Sequence, residues 1–349
     1  MIPTRPRPPR ALASAVSAEE LDRLWTRFGI FHQQGGKFRV AVTNVCNLDC
    51  FFCHNEAMAN PRRGPVPTDS VDREQLLGII NAYTRLGGRQ VNLTGGEPLA
   101  RPDLIELIEG IDKRDSVIAL NTNAVLASRL LAHPKLAGLD TILVSLHTTD
   151  DGIFRDRLGG RSVTKVMDNI IALDAHGYEV IINYSLGPYN RDEFPKVLDF
   201  ATQNGIFLKA IAFVRPNDSP RFYDGQWVDP GWVTALLETR GAEQVSAVEA
   251  FGGYSTVWNV SGSKVKVKNI ANGRLETDYC DGCPHSTRCG EGIYGLRVGV
   301  DGLWKPCLLN RSKFTPVTET ESYALQILRR IDAMIGHWPN AVFRSGAPD

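Results

Sequence analysis

The seven cysteines of this chain fall into two groups. Cys46, Cys50 and Cys53 stand in TNVCNLDCFFCHNE, with C-x3-C-x2-C spacing. Three thiolates on one short loop can hold three corners of a cubane iron–sulfur cluster, which leaves the fourth iron open to a small molecule. On spacing alone, the alternatives are a zinc site or a set of ordinary buried thiols. A zinc ribbon would want a second C-x2-C nearby, and the next cysteine is Cys280. The second group, Cys280, Cys283, Cys289 and Cys307, has C-x2-C-x5-C-x17-C spacing. Four thiolates in that span suit either a zinc ion or a closed 4Fe–4S cluster. Gly302 after Asp301, between the last two of these cysteines, reads as a hairpin turn.

The rest of the composition narrows the setting. A chain of 349 residues that is 43% hydrophobic can bury a sizeable core, as one large domain or two modest ones. Lys plus Arg and Asp plus Glu are both 39, so no overall charge draws the protein to nucleic acid or an anionic membrane surface. No apolar run approaches the ~20 residues of a membrane span, and Ala11–Val16 is too short for a signal-peptide core of roughly 7–15. These features point to the cytoplasm, where clustered thiols bind metal more often than they form disulfides.

The elements that must position the first loop alternate regularly. Residues 1–16 read as a flexible arm. Ser17, three before Glu20, opens a helix to about Phe28. Strands are expected at Phe38–Thr43, Gln90–Thr94, Val117–Asn121, Thr141–Leu146, Val180–Ser185 and Phe207–Phe213. Helices are expected at Val71–Leu86, Leu104–Asp112, Val125–Leu131, Val163–Ala175 and Arg191–Gln203. Such alternation specifies an α/β fold with a parallel sheet, open or curled into a partial barrel, whose ligand sits at the carboxyl ends of the strands. Beyond Phe213 the pattern changes. Arg215–Asp229 is rich in Pro, Asp and Gly, and strand-like runs at Ser255–Val260 and Lys264–Lys268 lead to the second cysteine group and a helix near Glu319–Ile335.

A second motif, LTGGEPLARPDL, follows the second expected strand and contains Gly95, Gly96, Glu97 and Pro98. Together with the three-cysteine loop and Phe52 directly before its last Cys, it resembles the GGEP motif of the radical S-adenosylmethionine (SAM) superfamily. The resemblance covers about residues 36–310. It implies a partial (β/α)6 TIM-like barrel in which SAM chelates the open iron. Gly95 and Gly96 would let the backbone approach the methionyl end, and Glu97 would accept from its ammonium. Asn121 in ALNTNA and Ser145 in VSLHTTD would contact SAM, although each also reads as a strand-end cap. Reductive cleavage of SAM would yield a 5′-deoxyadenosyl radical that abstracts hydrogen from a substrate. The implied cofactors are SAM and two 4Fe–4S clusters, and the implied electron donor is a flavodoxin or ferredoxin.

The stretch Cys289-x12-Gly302-x4-Cys307 resembles the start of the SPASM pattern, in its shorter one-cluster form called a twitch domain. The expected layout is an N-terminal arm and helix (1–35), the barrel (36–215), a linker (216–240) and an auxiliary-cluster domain (241–349). Within the superfamily, FRVAVTNVCNLDCFFC, VSLHTTD and LRVGVDGLWKPCLL are similar to the GTP cyclases of molybdopterin biosynthesis. Arg39 falls at the position of a substrate-contacting Arg. Four features depart from that pattern: a fourth auxiliary Cys is available, paired arginines are reduced to Arg297, a fifth-strand Lys is Ile181, and the chain ends SGAPD in place of Gly-Gly. These departures set the chain apart from that cyclase.

The expected substrate is a small polar molecule such as a nucleoside, nucleotide or sugar, anchored by Arg39 and Arg297. The reactions in range are cyclisation, dehydrogenation, epimerisation and decarboxylation, plausible in antibiotic biosynthesis. Arg101, Lys209, Arg215 and Lys305 are further basic candidates, against the alternative of surface charge. His54 and His147 are candidate proton donors or structural hydrogen-bonders, and Tyr294 and Trp304 line the cavity or pack the core. Two other readings stand beside this one, a peptide-modifying relative and a non-catalytic iron–sulfur or zinc protein. Iron analysis separates them. After anaerobic reconstitution, changing Cys46, Cys50 and Cys53 together to Ala should leave about half the iron, because the second group keeps its own cubane. Loss of all the iron, or zinc in its place, would contradict the two-cluster expectation.

Overall fold

The computed structural model describes residues 9–53, 56, 71–213, 225–250, 253–269, 273–284, 286, 289, 293, 295–336 and 342–344. The chain enters through α1 (Arg10–Ala13) and α2 (Ala18–Gln33), whose cap Ser17 accepts from the Glu20 amide as the sequence specifies. There follow β1 (Lys37–Ala41), α3 (Arg73–Arg85), β2 (Gln90–Thr94), α4 (Leu104–Glu109), β3 (Val117–Thr122) and α5 (Ser128–Leu131). Next come β4 (Thr141–Ser145), α6 (Asp151–Leu158), α7 (Val163–Ala175), β5 (Glu179–Leu186), α8 (Phe194–Gln203) and β6 (Phe207–Ala212). The C-terminal part supplies α9 (Gly231–Thr239), β7 (Glu243–Ala250), β8 (Gly253–Val260), β9 (Ser263–Lys268), β10 (Arg274–Glu276), β11 (Gly295–Val298), β12 (Leu303–Lys305), β13 (Thr315–Pro316), α10 (Tyr323–Ile335) and β14 (Val342–Arg344).

The six strands β1–β6 pair in parallel and in sequence order, as the alternation requires. The C-terminal part extends this sheet at both edges. β9 joins β6 in parallel and continues antiparallel through β8 to β7, while β11 joins β1 in parallel and continues through β12 to β13. The hairpin between β11 and β12 turns at Gly302, where φ is 68°.

Strand alternation gives the sheet two unlike faces. Phe38, Val40, Val91, Leu93, Ile118, Leu120, Ile142, Val144, Ile182 and Leu208 are buried in one continuous core. The register lines up the opposite face. Lys305, Arg297, Arg39, Asn92 and Ala119 are lateral neighbours, and so are Ser145, Asn183, Lys209 and Lys266. Beside these residues the second face carries an apolar patch of Ala119, Leu143 and Ile181 backed by Phe207, and Ala41 packs on Val300.

Several elements differ from the sequence reading for identifiable reasons. The helix expected over Arg191–Gln203 is a 3₁₀ turn (Pro188–Glu193) followed by α8, because Pro195 fits a first helical turn and not an interior one. α6 has no apolar stripe and carries Gly152, so periodicity misses it; its signal is the cap, where Asp150 Oδ1 accepts from the Ile153 amide at 2.8 Å. α9 lies inside the stretch read as a linker, and α1 inside the one read as an arm. α10 packs on α2 and α3, with Arg329–Glu20 at 2.9 Å and Arg23–Asp332 at 3.3 Å at its surface. Among the described residues, no helix is long and apolar enough to cross a membrane.

The end of β4 is tied to β5 by a buried imidazole. The Ser185 amide donates to His147 Nδ1 at 3.0 Å, and burial pushes the His147 pKa from 6.5 down to about 3. The folded state therefore holds this ring neutral while the unfolded chain protonates it below about 6.5. Stability from this group is present above that pH and is lost as pH falls toward about 3. His147→Gln should flatten the wild type's loss of stability between pH 6.5 and pH 4, measured by urea unfolding. An unchanged slope would contradict this assignment.

Candidate active site at the strand ends

The Cys loop and the GGEP turn meet beyond the carboxyl ends of β1 and β2. The Gly96 amide donates to the Thr43 carbonyl at 2.8 Å and the Glu97 amide to the Val45 carbonyl at 2.7 Å. A side chain at Gly95 would bring its Cβ within 2.5 Å of the Thr43 carbonyl oxygen, so glycine is required for this approach. The far side of the Cys loop rests on α6. The Asp49 amide donates to the Leu158 carbonyl and Phe51 to Arg157, and Gly159 closes that helix at φ 74°. Asn47 Oδ1 accepts from Asn123 at 2.8 Å and so joins the loop to the end of β3.

Glu97 is 1% exposed, and its carboxylate is already engaged. One oxygen accepts from the Leu99 amide at 3.0 Å and Thr122 Oγ1 at 2.6 Å, the other from the Asn123 amide at 2.7 Å. Burial raises its pKa to about 7 despite these donors. The sequence reading has Glu97 accept from a ligand ammonium; in the structure this carboxylate also holds the ends of β2 and β3 together. Asn121 Oδ1 accepts from Asn92 Nδ2 at 3.3 Å, and Asn92 Oδ1 is buried on this face without a partner among the described residues. Ser145 stands one strand further on, half-buried and paired in register with Asn183. Phe52 stacks on Phe213 with centroids 5.0 Å apart and meets the His147 ring edge-on at 5.0 Å.

All seven cysteines are free thiols of intermediate exposure. Burial raises Cys46 to about 11, helped by Glu97 and Cys53, and drives Cys50 well above its usual range, helped by Cys53 and Cys46. Thiols that so disfavour their own charge are suited to a cationic iron cluster, which reverses that cost. Among the described residues, no three His, Cys, Asp or Glu side chains form a ready single-ion site. In the second group, the Leu309 and Asn310 amides donate to Cys307 Sγ at 3.3 and 3.5 Å, and Asn310 Nδ2 reaches Cys283 Sγ at 3.7 Å. Cys280 is raised to about 11, first by burial and then in part by Cys307 and Cys283. Cys289 is half-buried on the same segment. Both donor sets fit iron–sulfur clusters in chemistry, and the Asn310 contacts bring Cys283 and Cys307 to one place.

The two arginines singled out in the sequence do come together, on a residue the sequence reading missed. Arg39 donates from Nε and Nη2 to Glu56 at 2.8 and 2.6 Å, and Arg297 Nε donates to the same carboxylate at 3.0 Å. Arg297 is 2% exposed and Glu56 7%. Glu56 follows Cys53 by three residues, and as a lone acid in HNE it carried no sequence signal. The other basic candidates separate. Arg101 is spent on the Val42 carbonyl and Asp103. Lys305 pairs with Asp301 at 2.9 Å. Lys209 faces the lumen with Lys266, its register neighbour. Burial and mutual repulsion lower Lys37 to about 7 and Lys209 to about 8. No described carboxylate makes an ion pair with Lys37, Lys209 or Lys266. Trp304 is core, its indole N–H bound to Gln326 at 3.0 Å. His54, Arg215 and Tyr294 lie outside the described residues.

Comparisons with known proteins agree with this layout. The family profile of the radical SAM superfamily matches residues 40–201. A protein named "Probable GTP 3′,8-cyclase" from Archaeoglobus fulgidus is 30% identical over 285 residues, covering 79% of this chain and 87% of the relative. A "GTP 3′,8-cyclase" from Limosilactobacillus fermentum is 25% identical over 277 residues, 77% of this chain and 78% of the relative. In fold, the chain is similar to Streptococcus suis SuiB bound to S-adenosylmethionine (TM-score 0.56, 14% identity, 85% of this chain and 68% of that one). It is likewise similar to native anSMEcpe with bound AdoMet (TM-score 0.53, 15% identity, 85% and 80%). The span of that profile covers the three-cysteine loop and the GGEP turn locked to it, and the chain belongs to the radical SAM superfamily.

Proposed function

We propose that this enzyme binds a 4Fe–4S cluster on Cys46, Cys50 and Cys53, takes SAM beside it, and abstracts hydrogen from a nucleotide or similarly anionic nucleoside derivative. The carrying observation is the backbone lock between the GGEP turn and residues 43–45, which puts glycine backbone next to the Cys loop. When bound, the reduced cluster and SAM supply a 5′-deoxyadenosyl radical. The chain's own residues do the rest. Gly95 and Gly96 admit the methionyl end of SAM, and Glu97 positions them by fixing the turn. Asn121 and Ser145 contact SAM from the ends of β3 and β4, and Phe52 with His147 and Phe213 walls the pocket against water. Cys280, Cys283, Cys289 and Cys307 close a second cluster within the C-terminal segment 241–349. A flavodoxin or ferredoxin supplies electrons.

The substrate class rests on the charge of the lumen and on the names of the relatives. Arg39, Arg297, Lys37, Lys209 and Lys266 share the lumen face with the carboxylates of Glu56 and Glu179, and this gathering of cations favours an anionic substrate. Ile181 sits in the apolar floor with Ala119 and Leu143, where the cyclase pattern has a lysine. The floor is therefore apolar at that point, and the reaction is not assigned to GTP cyclisation.

Two measurements check this reading. With dithionite and SAM, the reconstituted protein should release 5′-deoxyadenosine, faster with a cognate nucleotide, and the triple Cys→Ala variant should release none. Full release by that variant would overturn the proposal. Nucleotide affinity should fall as pH rises through about 7 to 8, because Lys37 and Lys209 lose their charge there. Lys209→Met should raise KM about tenfold with a smaller change in kcat, and an unchanged KM would remove the lysines from substrate binding.

A further inference from the structure

The turn that follows Cys307 aims a set of donors at sulfur. Two backbone amides point back to Cys307 Sγ, Leu309 N at 3.3 Å and Asn310 N at 3.5 Å. The Asn310 side chain reaches the other way, with Nδ2 3.7 Å from Cys283 Sγ, 27 positions earlier in the chain. Asn310 is buried, and Ser312 fixes which end of its amide faces the sulfur. The Ser312 hydroxyl donates to Asn310 Oδ1 at 2.6 Å, which leaves Nδ2 for Cys283. We infer that Asn310 positions the second cluster and sets its potential: it bridges the ligands Cys283 and Cys307 and, by donating to sulfur, makes that cluster easier to reduce. This rests on the reading that the second cysteine group holds a 4Fe–4S cluster.

A neutral thiol is a weak hydrogen-bond acceptor, whereas a thiolate on iron carries charge and accepts more strongly. Three N–H donors on two sulfurs therefore suit the ligated state better than the free thiols. Reduction places one electron, taken from an external reductant, on the cluster and increases the negative charge on its sulfurs. N–H donors stabilise that added charge, so they raise the reduction potential. A cation from the same turn acts in the same direction. Lys313 Nζ lies 4.2 Å from the centroid of the Tyr279 ring and donates to the Tyr279 carbonyl, next to Cys280. A purely architectural Asn310 would need only its bond to Ser312 and its backbone carbonyl, which accepts from the Lys313 amide at 3.2 Å. The amide nitrogen on Cys283 is the contact that architecture leaves without a purpose.

The test isolates the second cluster in the full chain with Cys46, Cys50 and Cys53 changed to Ala, reconstituted anaerobically. Its midpoint potential is read by electron paramagnetic resonance during a dithionite titration, with Asn310 present and with two substitutions. Asn310→Leu removes the donor, and Asn310→Asp keeps the acceptor for Ser312 while turning an oxygen toward Cys283. Each should lower the equilibrium constant for reduction at least tenfold, a drop of about 59 mV for one electron. A potential unchanged in both would overturn the inference. Should both variants fail to load iron, the chain with Asn310 intact decides, grown with nitrogen-15 asparagine. Its reduced second cluster should show hyperfine coupling to nitrogen-15, and no coupling would overturn the inference. The two levels of failure are distinct. No iron on the second group with Asn310 present would sink the two-cluster reading and this inference together, whereas a loaded cluster with an unmoved potential would sink this inference alone.

Discussion

The contact between the GGEP turn and the chain just beyond β1 is the constraint on which the site depends. Two amide–carbonyl hydrogen bonds, Gly96 to Thr43 and Glu97 to Val45, leave no room for a side chain at Gly95. Because Val45 directly precedes Cys46, the cysteine loop and the turn form one backbone object. Its other faces are held by α6, through Asp49 and Phe51, and by β3, through Asn123 and the Glu97 carboxylate. The cost of burying Glu97 is offset by three donors that each come from a different place in the turn or the next strand end. That arrangement fixes glycine backbone beside three thiols before any ligand arrives, which is what preorganisation requires.

Charge is arranged with similar economy. The helix-facing side of β1–β6 is apolar, so every cation on those strands must face the lumen or lie at a strand end. Parallel pairing of β1 with β11 and of β6 with β9 then draws cations from distant parts of the chain to the lumen. Arg297 and Lys266 belong to the segment that carries the second cysteine group, so that segment completes the pocket as well as the sheet. Burial first, and neighbouring cations second, lower Lys37 and Lys209, while Glu179 partly opposes the shift at Lys209.

Much of this was legible in the sequence, for physical reasons. β2 and α7 fall at the residues their patterns specify, because Gln90–Thr94 lies between turn glycines and an apolar strand run, and Val163–Ala175 has both a stripe and a Ser162 cap. The Cys loop and GGEP turn could be read because backbone approach admits only glycine and cluster ligation favours thiolate. Other features are properties of the folded chain alone. α6 lacks a stripe, yet it buttresses the Cys loop. Glu56 is one acid among 39 until register brings Arg39 and Arg297 onto it. Glu97 is the inverse case: its motif was evident, but its engagement with Thr122 and Asn123 emerges only from the meeting of two strand ends.

On the proposed reading, the Cys loop and the locked GGEP turn form one site for a cluster and SAM. Electron paramagnetic resonance of the reduced, reconstituted protein tests it directly, using SAM labelled with nitrogen-15 in its amino group. SAM should change the signal of the cluster on Cys46, Cys50 and Cys53, and hyperfine coupling to the labelled nitrogen should appear. A reduced cluster whose signal is unchanged by saturating SAM, with no such coupling, would contradict it.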